Sequence, residues 1–319
     1  MNQEDITNFL IYLQSSHTSQ SYLQHCYEKQ MPADANKLSY ENSYRFLYYL
    51  KHGLQFYEDG DQASLTVKPI LYFYGMVHLI KACILTRKPY YPENTSMLAH
   101  GASTRKRKKQ QYNFLQDETK VQHKGLFPYF AKHMYDIDAL SIEKVSMDKL
   151  LSCIPELSDI FYLHRGEQKL TKIGSKNSTK LSFPIALLDN YHTTESRFID
   201  KISTHLPTKK ESYVDGEYIH LELVKPIGPS SAGPFYYHLS NHHLYFPSKR
   251  HYFSSIHEVM LHYLVLYNLS MICRYETEWW GDLLHTLPTE DYPFIHKFLS
   301  ITAKKIPFLL GYFLYEQRD

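Results

Sequence analysis

The pattern of apolar and polar positions divides the chain by texture. Up to about residue 86 it reads as helical: Tyr40, Tyr44, Leu47 and Leu54 share one face of a helix that Ser39 can cap, and Glu58-Asp59-Gly60-Asp61 is expected to end it. Pro69 falls near the start of the next helix, where its missing N–H costs little. Residues 87–124 are loop-like and charged, with short strands, and helices are expected at 125–135 and 146–163. From about 165 to 250 the texture turns to strands, in KLTKIG, KLSFPIALL, GEYIHLELV and PFYYHLSNHHLYF, with one helix near 195–204. After Ser255 helices return, with Pro288, Pro293 and Pro307 as the expected breaks.

The fold class that follows is α+β and mostly helical, with N- and C-terminal helical blocks packed together around a β-rich middle segment. The divisions are a helical block over 1–164 with a basic loop near 100–111, a β-rich subdomain over 165–253, and a helical block over 254–319 that packs on the first. No internal repeat or low-complexity tract is visible.

Composition narrows the function classes. At 319 residues and 43% apolar the chain can bury a substantial core, and a formal charge of +2 excludes a surface that is basic throughout. Any anion site is therefore local. The start, MNQEDITNFLIYL, lacks a cationic leader, and the longest apolar stretches are broken by His78 and Lys81 or by His262 and Asn268. The expectation is a cytoplasmic protein with no membrane partner. Cys26, Cys83, Cys153 and Cys273 are scattered without metal-site spacing and read as free thiols. Tyrosine is abundant at 29 residues, and it serves stacking platforms as well as half-buried faces.

Three blocks carry a family resemblance: PILYFYGMVHLIKACIL, LAHGASTRKRKKQQYNFLQDE with GLFPYF after it, and LSMICRYETEWWGDLL. In content and order they resemble the signature blocks of the YaaC-like family of bacterial cytoplasmic proteins. The resemblance runs over most of the chain and is weakest in the middle strands. It implies a cytoplasmic protein and supplies no catalytic residues to carry over.

Polar residues stand where the pattern wants apolar ones. Tyr72, Met76, Leu79 and Cys83 form one stripe, while Leu71, Tyr74, His78, Lys81 and Leu85 form another. His78 and Lys81 therefore share a face, either as a wetter helix edge or as an anion-facing pair. Arg274 extends the stripe Met260, Leu264, Tyr267, Met271. A guanidinium there needs a carboxylate such as Glu276, Glu278 or Asp282, a helix C-terminus, or a bound anion. His100-Gly101 leads into five consecutive cations, Arg105, Lys106, Arg107, Lys108 and Lys109, which suit either a solvated loop or one that folds over phosphate.

Several motifs fail on spacing. His257 and His262 in HEVMLH are five apart, one too many for a zinc helix, and Ser255 with Glu258 reads as a capping box. His238, His242 and His243 would be split by strand alternation, and no metal or cofactor is indicated. GPSSAG lacks a nucleophile elbow and reads as a turn. Arg45 and His52 lie seven apart in RFLYYLKH, two helical turns, which is similar to the Arg-x4-6-His motif of HEPN-type metal-independent ribonucleases. Phe46 departs from that motif's polar residue.

The leading expectation is a binding or regulatory protein whose His78, Lys81, His100, Arg105, Lys106, Arg107 and Arg274 recognise a nucleotide-like phosphate or RNA. The alternative from another class is the ribonuclease built on Arg45 and His52. A structural or protein-interaction role is the third, and the sequence carries no signal for a protein partner or homo-oligomer.

Overall fold

The computed structural model describes residues 2–104, 112–138, 142–231, 233–287 and 289–318. The chain is 57% helical and 13% strand, with helical blocks at both ends and strands between. It forms two compact units, one from 1–147 and 262–319, the other from 148–261.

The first unit opens with α1 (Gln3–Tyr12), whose Asn2–Asp5 capping box satisfies orphan donors at both ends of the turn, and α2 (Ser16–Glu28), capped by Ser15. α3 (Ala35–Gln62) is longer than the pattern implies. Ser39 does not cap it, since the Ser39 hydroxyl bonds back to Asn36 O inside the helix, and Gly60 lies within it. Its buried face is Leu38, Asn42, Phe46, Leu50, Gly53 and Tyr57, whereas Tyr40 and Tyr44 point to solvent. Tyrosine's mixed character explains the wrong face: an amphipathic ring satisfies a helical period on either side.

α4 (Lys68–Arg87) carries Pro69 in its first turn, as expected. It is long and apolar enough to cross a membrane, contrary to the shorter reading from sequence, but 72% of its apolar window is buried in the protein. It is the central core helix, packed on α3. The two backbones meet at glycines: a Cβ on Gly53 would lie 2.7 Å from the Leu79 side chain, and one on Gly75 would lie 3.0 Å from Gly53 O. Beyond them come β1 (Ala102–Thr104), β2 (Glu118–Val121) and α5 (Leu126–Tyr135), and β3 (Lys144–Ser146) completes the antiparallel sheet β1-β2-β3.

In the second unit the expected helix over 146–163 is broken into α6 (Met147–Leu151), a turn containing Pro155, and α7 (Ser158–Arg165). The strands are β4 (Leu170–Ser175), β5 (Lys180–Pro184), β6 (Lys209–Val214), β7 (Tyr218–Leu223), β8 (Tyr236–Tyr237) and β9 (His243–Pro247), with α8 (Ala186–Tyr191) and α9 (Glu195–Ser203) between β5 and β6. They pair antiparallel in two sheets, β4-β9-β8 and β5-β7-β6. Phe183, Tyr191, Phe198 and Phe246 pack edge to face in the core between them.

The division between units falls inside α10 (Glu258–Tyr275). His257, not Ser255, caps this helix: its Nδ1 accepts the Val259 N–H at 3.1 Å. Glu258 instead accepts from Tyr237 N at 3.4 Å. α11 (Thr277–Thr286) follows, and α12 (Asp291–Glu316) runs through Pro307 without a break. The lost hydrogen bond costs about 3 kcal/mol in an isolated helix. Burial of Phe298, Ile306, Leu309, Leu310 and Phe313 on both sides of the proline offsets it. α12 returns to pack on α4 and α1, which joins the two ends of the chain in one core. Pro288 and the cations 105–109 lie outside the described residues.

Candidate functional site

The α3–α4 crossing at Gly53 and Gly75 decides which side chains meet above it. On α3, Tyr49, His52 and Phe56 lie at i, i+3 and i+7, and on α4, Tyr74, His78 and Lys81 lie at i, i+4 and i+7. The stripes interdigitate. The His78 ring stacks on Phe56 at 5.7 Å and 6°, with His52 at 5.7 Å and Tyr49 at 5.9 Å. Lys81 Nζ lies 5.5 Å from the Tyr49 ring centre.

His100 reaches the same place from a locked turn. Gly101 adopts φ 76°, and a Cβ there would sit 2.6 Å from Pro128 Cδ and 2.9 Å from Phe127 N. The close approach expected at this glycine is therefore that of the N-terminus of α5. The His100 carbonyl accepts from Phe127 N at 3.1 Å and from Tyr263 OH at 2.8 Å. Its imidazole contacts Phe73 at 5.0 Å, Tyr267 at 5.8 Å and Tyr74 at 6.1 Å.

Arg274 closes the group from the last turn of α10. Its Nε donates to Ser270 O at 2.9 Å, and the guanidinium lies 5.3 Å from the Tyr275 ring. Among the described residues it makes no ion pair, so Glu276, Glu278 and Asp282 do not play the expected part of counter-ion. One guanidinium edge satisfies the helix end, as a cation there should. Arg274 Nη2 donates to Met271 Sδ at 3.1 Å, which leaves Nη1 without a partner among the described residues.

The electrostatics show how these groups are coupled. Burial pushes the His78 imidazole down to about 4, with Lys81 and His52 adding to the effect. Burial also lowers His100, reinforced by the charges of Arg274 and Lys81, and it lowers Lys81 itself. The neighbours acting on these groups are each other; no carboxylate contributes. His78 Nδ1 is buried with no hydrogen-bond partner among the described residues. Two cations and two imidazoles thus lie among aromatic rings, with no carboxylate among the neighbours that shift them.

His78 thus lies within charge range of Lys81, and His100 within charge range of Lys81 and Arg274. Arg105, Lys106 and Arg107 fall outside the described residues, although the run begins directly after β1. Its far flank is anchored by Tyr112, whose hydroxyl donates to Asp117 at 2.8 Å and whose ring meets Trp279 at 4.7 Å. The Arg45–His52 pair is split: His52 joins the cluster, while Arg45 donates to Tyr91 O at 3.0 Å. Tyr74 already stands in the stripe of His78 and Lys81, whereas the rings of Tyr49 and Phe56 are not singled out by the sequence, although the same helical spacing on α3 could find them. Among the described residues no group of three or more His, Cys, Asp or Glu side chains is placed to hold a metal ion. His238, His242 and His243 have other partners: Glu156 at 4.0 Å, Tyr237 OH at 2.5 Å and Lys172 at 2.9 Å respectively.

Comparison with known proteins gives one family. No curated protein and no solved structure matches the chain. The family model described as YaaC-like Protein matches residues 11–314, which takes in both helical blocks and the strands between them. The chain belongs to the YaaC-like family.

Proposed function

We propose that this protein binds an anionic ligand, a nucleotide-like phosphate, through His78, Lys81, His100 and Arg274 in a cytoplasmic binding or regulatory role. The observation that carries the reading is that four donors are linked by mutual charge coupling, with no carboxylate acting on any of the three whose shifts are resolved. Like charges held together cost free energy, and an anion between them reverses the sign of that interaction. Lys81 and Arg274 would supply charge and the imidazoles N–H donors, which become imidazolium as the phosphate raises their proton affinity. Phe56, Tyr74 and Tyr49 give a planar base a surface to stack on.

The test is thermal unfolding of the full chain against nucleotides, sugar phosphates, inorganic phosphate and short RNAs. A ligand that binds only the native state raises the melting temperature at saturation. A charge-assisted hydrogen bond contributes about 1.5–3 kcal/mol, so Arg274→Ala should weaken binding roughly 10- to 100-fold. A panel with no shift, or a shift unchanged in both Arg274→Ala and Lys81→Ala, would sink the reading.

A second reading has one observation in its favour. His52, exposed on α3, lies 5.7 Å from His78, so a bound RNA would meet an imidazole able to take the 2′-hydroxyl proton. Arg45, whose Nη1 is held by Tyr91 O, would have to reach the phosphate through its other nitrogens. RNA cleavage in the presence of a chelator, lost in His52→Ala and in Arg45→Ala, is the expected result; activity retained in His52→Ala rules this reading out.

A further inference from the structure

The second unit holds another constellation, assembled from two strands and a turn. β5 and β7 pair with Ser182 opposite His220. Ile185 N donates to Glu217 O and Leu223 N to Thr179 O, so the odd-numbered residues of β5 carry the ladder. Ser182 and His220 are thus a non-hydrogen-bonded pair, the kind whose side chains lie closest. Ser182 Oγ is 2.9 Å from His220 Nδ1, and His220 Nε2 is 2.7 Å from Asp215 Oδ2. Asp215 opens the turn between β6 and β7, where its other oxygen accepts the Glu217 N–H at 3.2 Å and the Tyr218 N–H at 2.9 Å. Gly216 supplies the positive φ, 95°, that the turn requires.

This arrangement fixes the tautomer. The bond to His220, helped by the two backbone N–H groups, holds the Asp215 carboxyl down at about 2. An acceptor-only carboxylate places the proton on Nε2, which leaves Nδ1 as the lone pair that accepts the Ser182 hydroxyl. The Tyr213 ring lies over the imidazole at 4.8 Å and His220 is only 7% exposed, whereas Ser182 is partly buried.

We propose that Ser182, His220 and Asp215 form a nucleophile, base and orienting acid, and that Ser182 reacts covalently with activated esters. In that reaction Ser182 Oγ attacks the acyl carbon while its proton passes to His220 Nδ1. The bond to the leaving phenol or alcohol breaks as His220 returns the proton to it, and water cleaves the acyl-serine by the same route. The ladder parity turns the Ser182 N–H away from β7, to the outer edge of β5, and in the proposed reaction it would donate to the developing oxyanion. Lys180, two residues back on the same face with its ammonium 5.3 Å from the Tyr213 ring, adds positive charge nearby. One backbone donor rather than two restricts the reaction to good leaving groups, not amides. The role is read from geometry, since no G-x-S-x-G elbow surrounds Ser182.

The experiment exposes the full chain to a fluorophosphonate–biotin probe, on which the attacking oxygen bonds to phosphorus and displaces fluoride, and maps the labelled peptide. The expected adduct is on Ser182, absent in Ser182→Ala and formed roughly tenfold or more slowly in Asp215→Asn. Circular dichroism checks that each variant is folded, and His220→Gln replaces Asp215→Asn if the turn loosens. The proposal is overturned if wild-type Ser182 stays unlabelled while an added serine hydrolase labels fully, or if folded Asp215→Asn and His220→Gln react as fast as wild type.

Discussion

Gly101 is where the fold and the proposed anion site depend on one residue. In Gly101→Ala the left-handed conformation costs a β-carbon about 1–2 kcal/mol. The new methyl would sit 2.6 Å from Pro128 Cδ and 2.9 Å from Phe127 N. The second neighbour is backbone at the start of α5 and cannot swing aside, so crowding adds about 1–3 kcal/mol. Alanine stiffens the unfolded chain, which returns about 0.4–1 kcal/mol. The net loss is roughly 1–4.5 kcal/mol by these sums. Both tryptophans of the chain, Trp279 and Trp280, belong to the first unit, so urea unfolding followed by their fluorescence reports this unit rather than the other. Gly101→Asn separates the two costs, because asparagine tolerates the left-handed region but still brings a β-carbon. It should remain destabilised. If Gly101→Asn unfolds within about half a kcal/mol of wild type, the crowding half of this reasoning is wrong and only backbone strain is left.

Further tests address the charges, the thiols and the helix crossing. With His78 at about 4 in the folded protein against an ordinary 6.5, the unfolded chain binds more protons between those values, so stability falls as pH drops through that window. Urea unfolding should show it with a shallower slope in His78→Asn; equal slopes would contradict the depressed imidazole. The same linkage predicts proton uptake when a phosphate binds near pH 5, read by calorimetry in buffers of different ionisation enthalpy. All four cysteines are buried, with Cys26 and Cys153 pushed up by burial to about 11 and Cys273 to about 12, so a thiol reagent should find none of them quickly in the native protein and all four in denaturant. Gly75→Ala should cost about 1–3 kcal/mol in thermal unfolding, since its Cβ would meet Gly53 O at 3.0 Å; no loss of stability would mean that α3 and α4 separate freely.

The helical blocks were legible because their periods are long and because Pro69 and the change of texture near 165 are local signals. What failed was also local in kind. Ser39 and Ser255 looked like caps, yet a cap is defined by which backbone N–H its oxygen meets, and His257 took the second position with a ring nitrogen. Pro307 looked like a stop because tertiary packing around it is invisible in a window of neighbours.

The two sites differ in the same respect. His78 and Lys81 announced themselves as polar residues on an apolar face, and Arg274 as a cation in an apolar stripe, so each could be named alone. Their convergence could not, because it depends on two helices crossing at Gly53 and Gly75 and on a turn held by Gly101. Ser182, His220 and Asp215 gave no such warning. A serine, a histidine and an aspartate are ordinary on the polar side of strands and in a turn, and only the register between β5 and β7 sets Ser182 beside His220. A one-residue slip of that register would turn one of the two side chains to the opposite face of the sheet. The information that makes the relay lies in pairing, which a single sequence does not display. The proposed anion cluster, by contrast, was half visible because His78, Lys81 and Arg274 each broke its own helix's pattern.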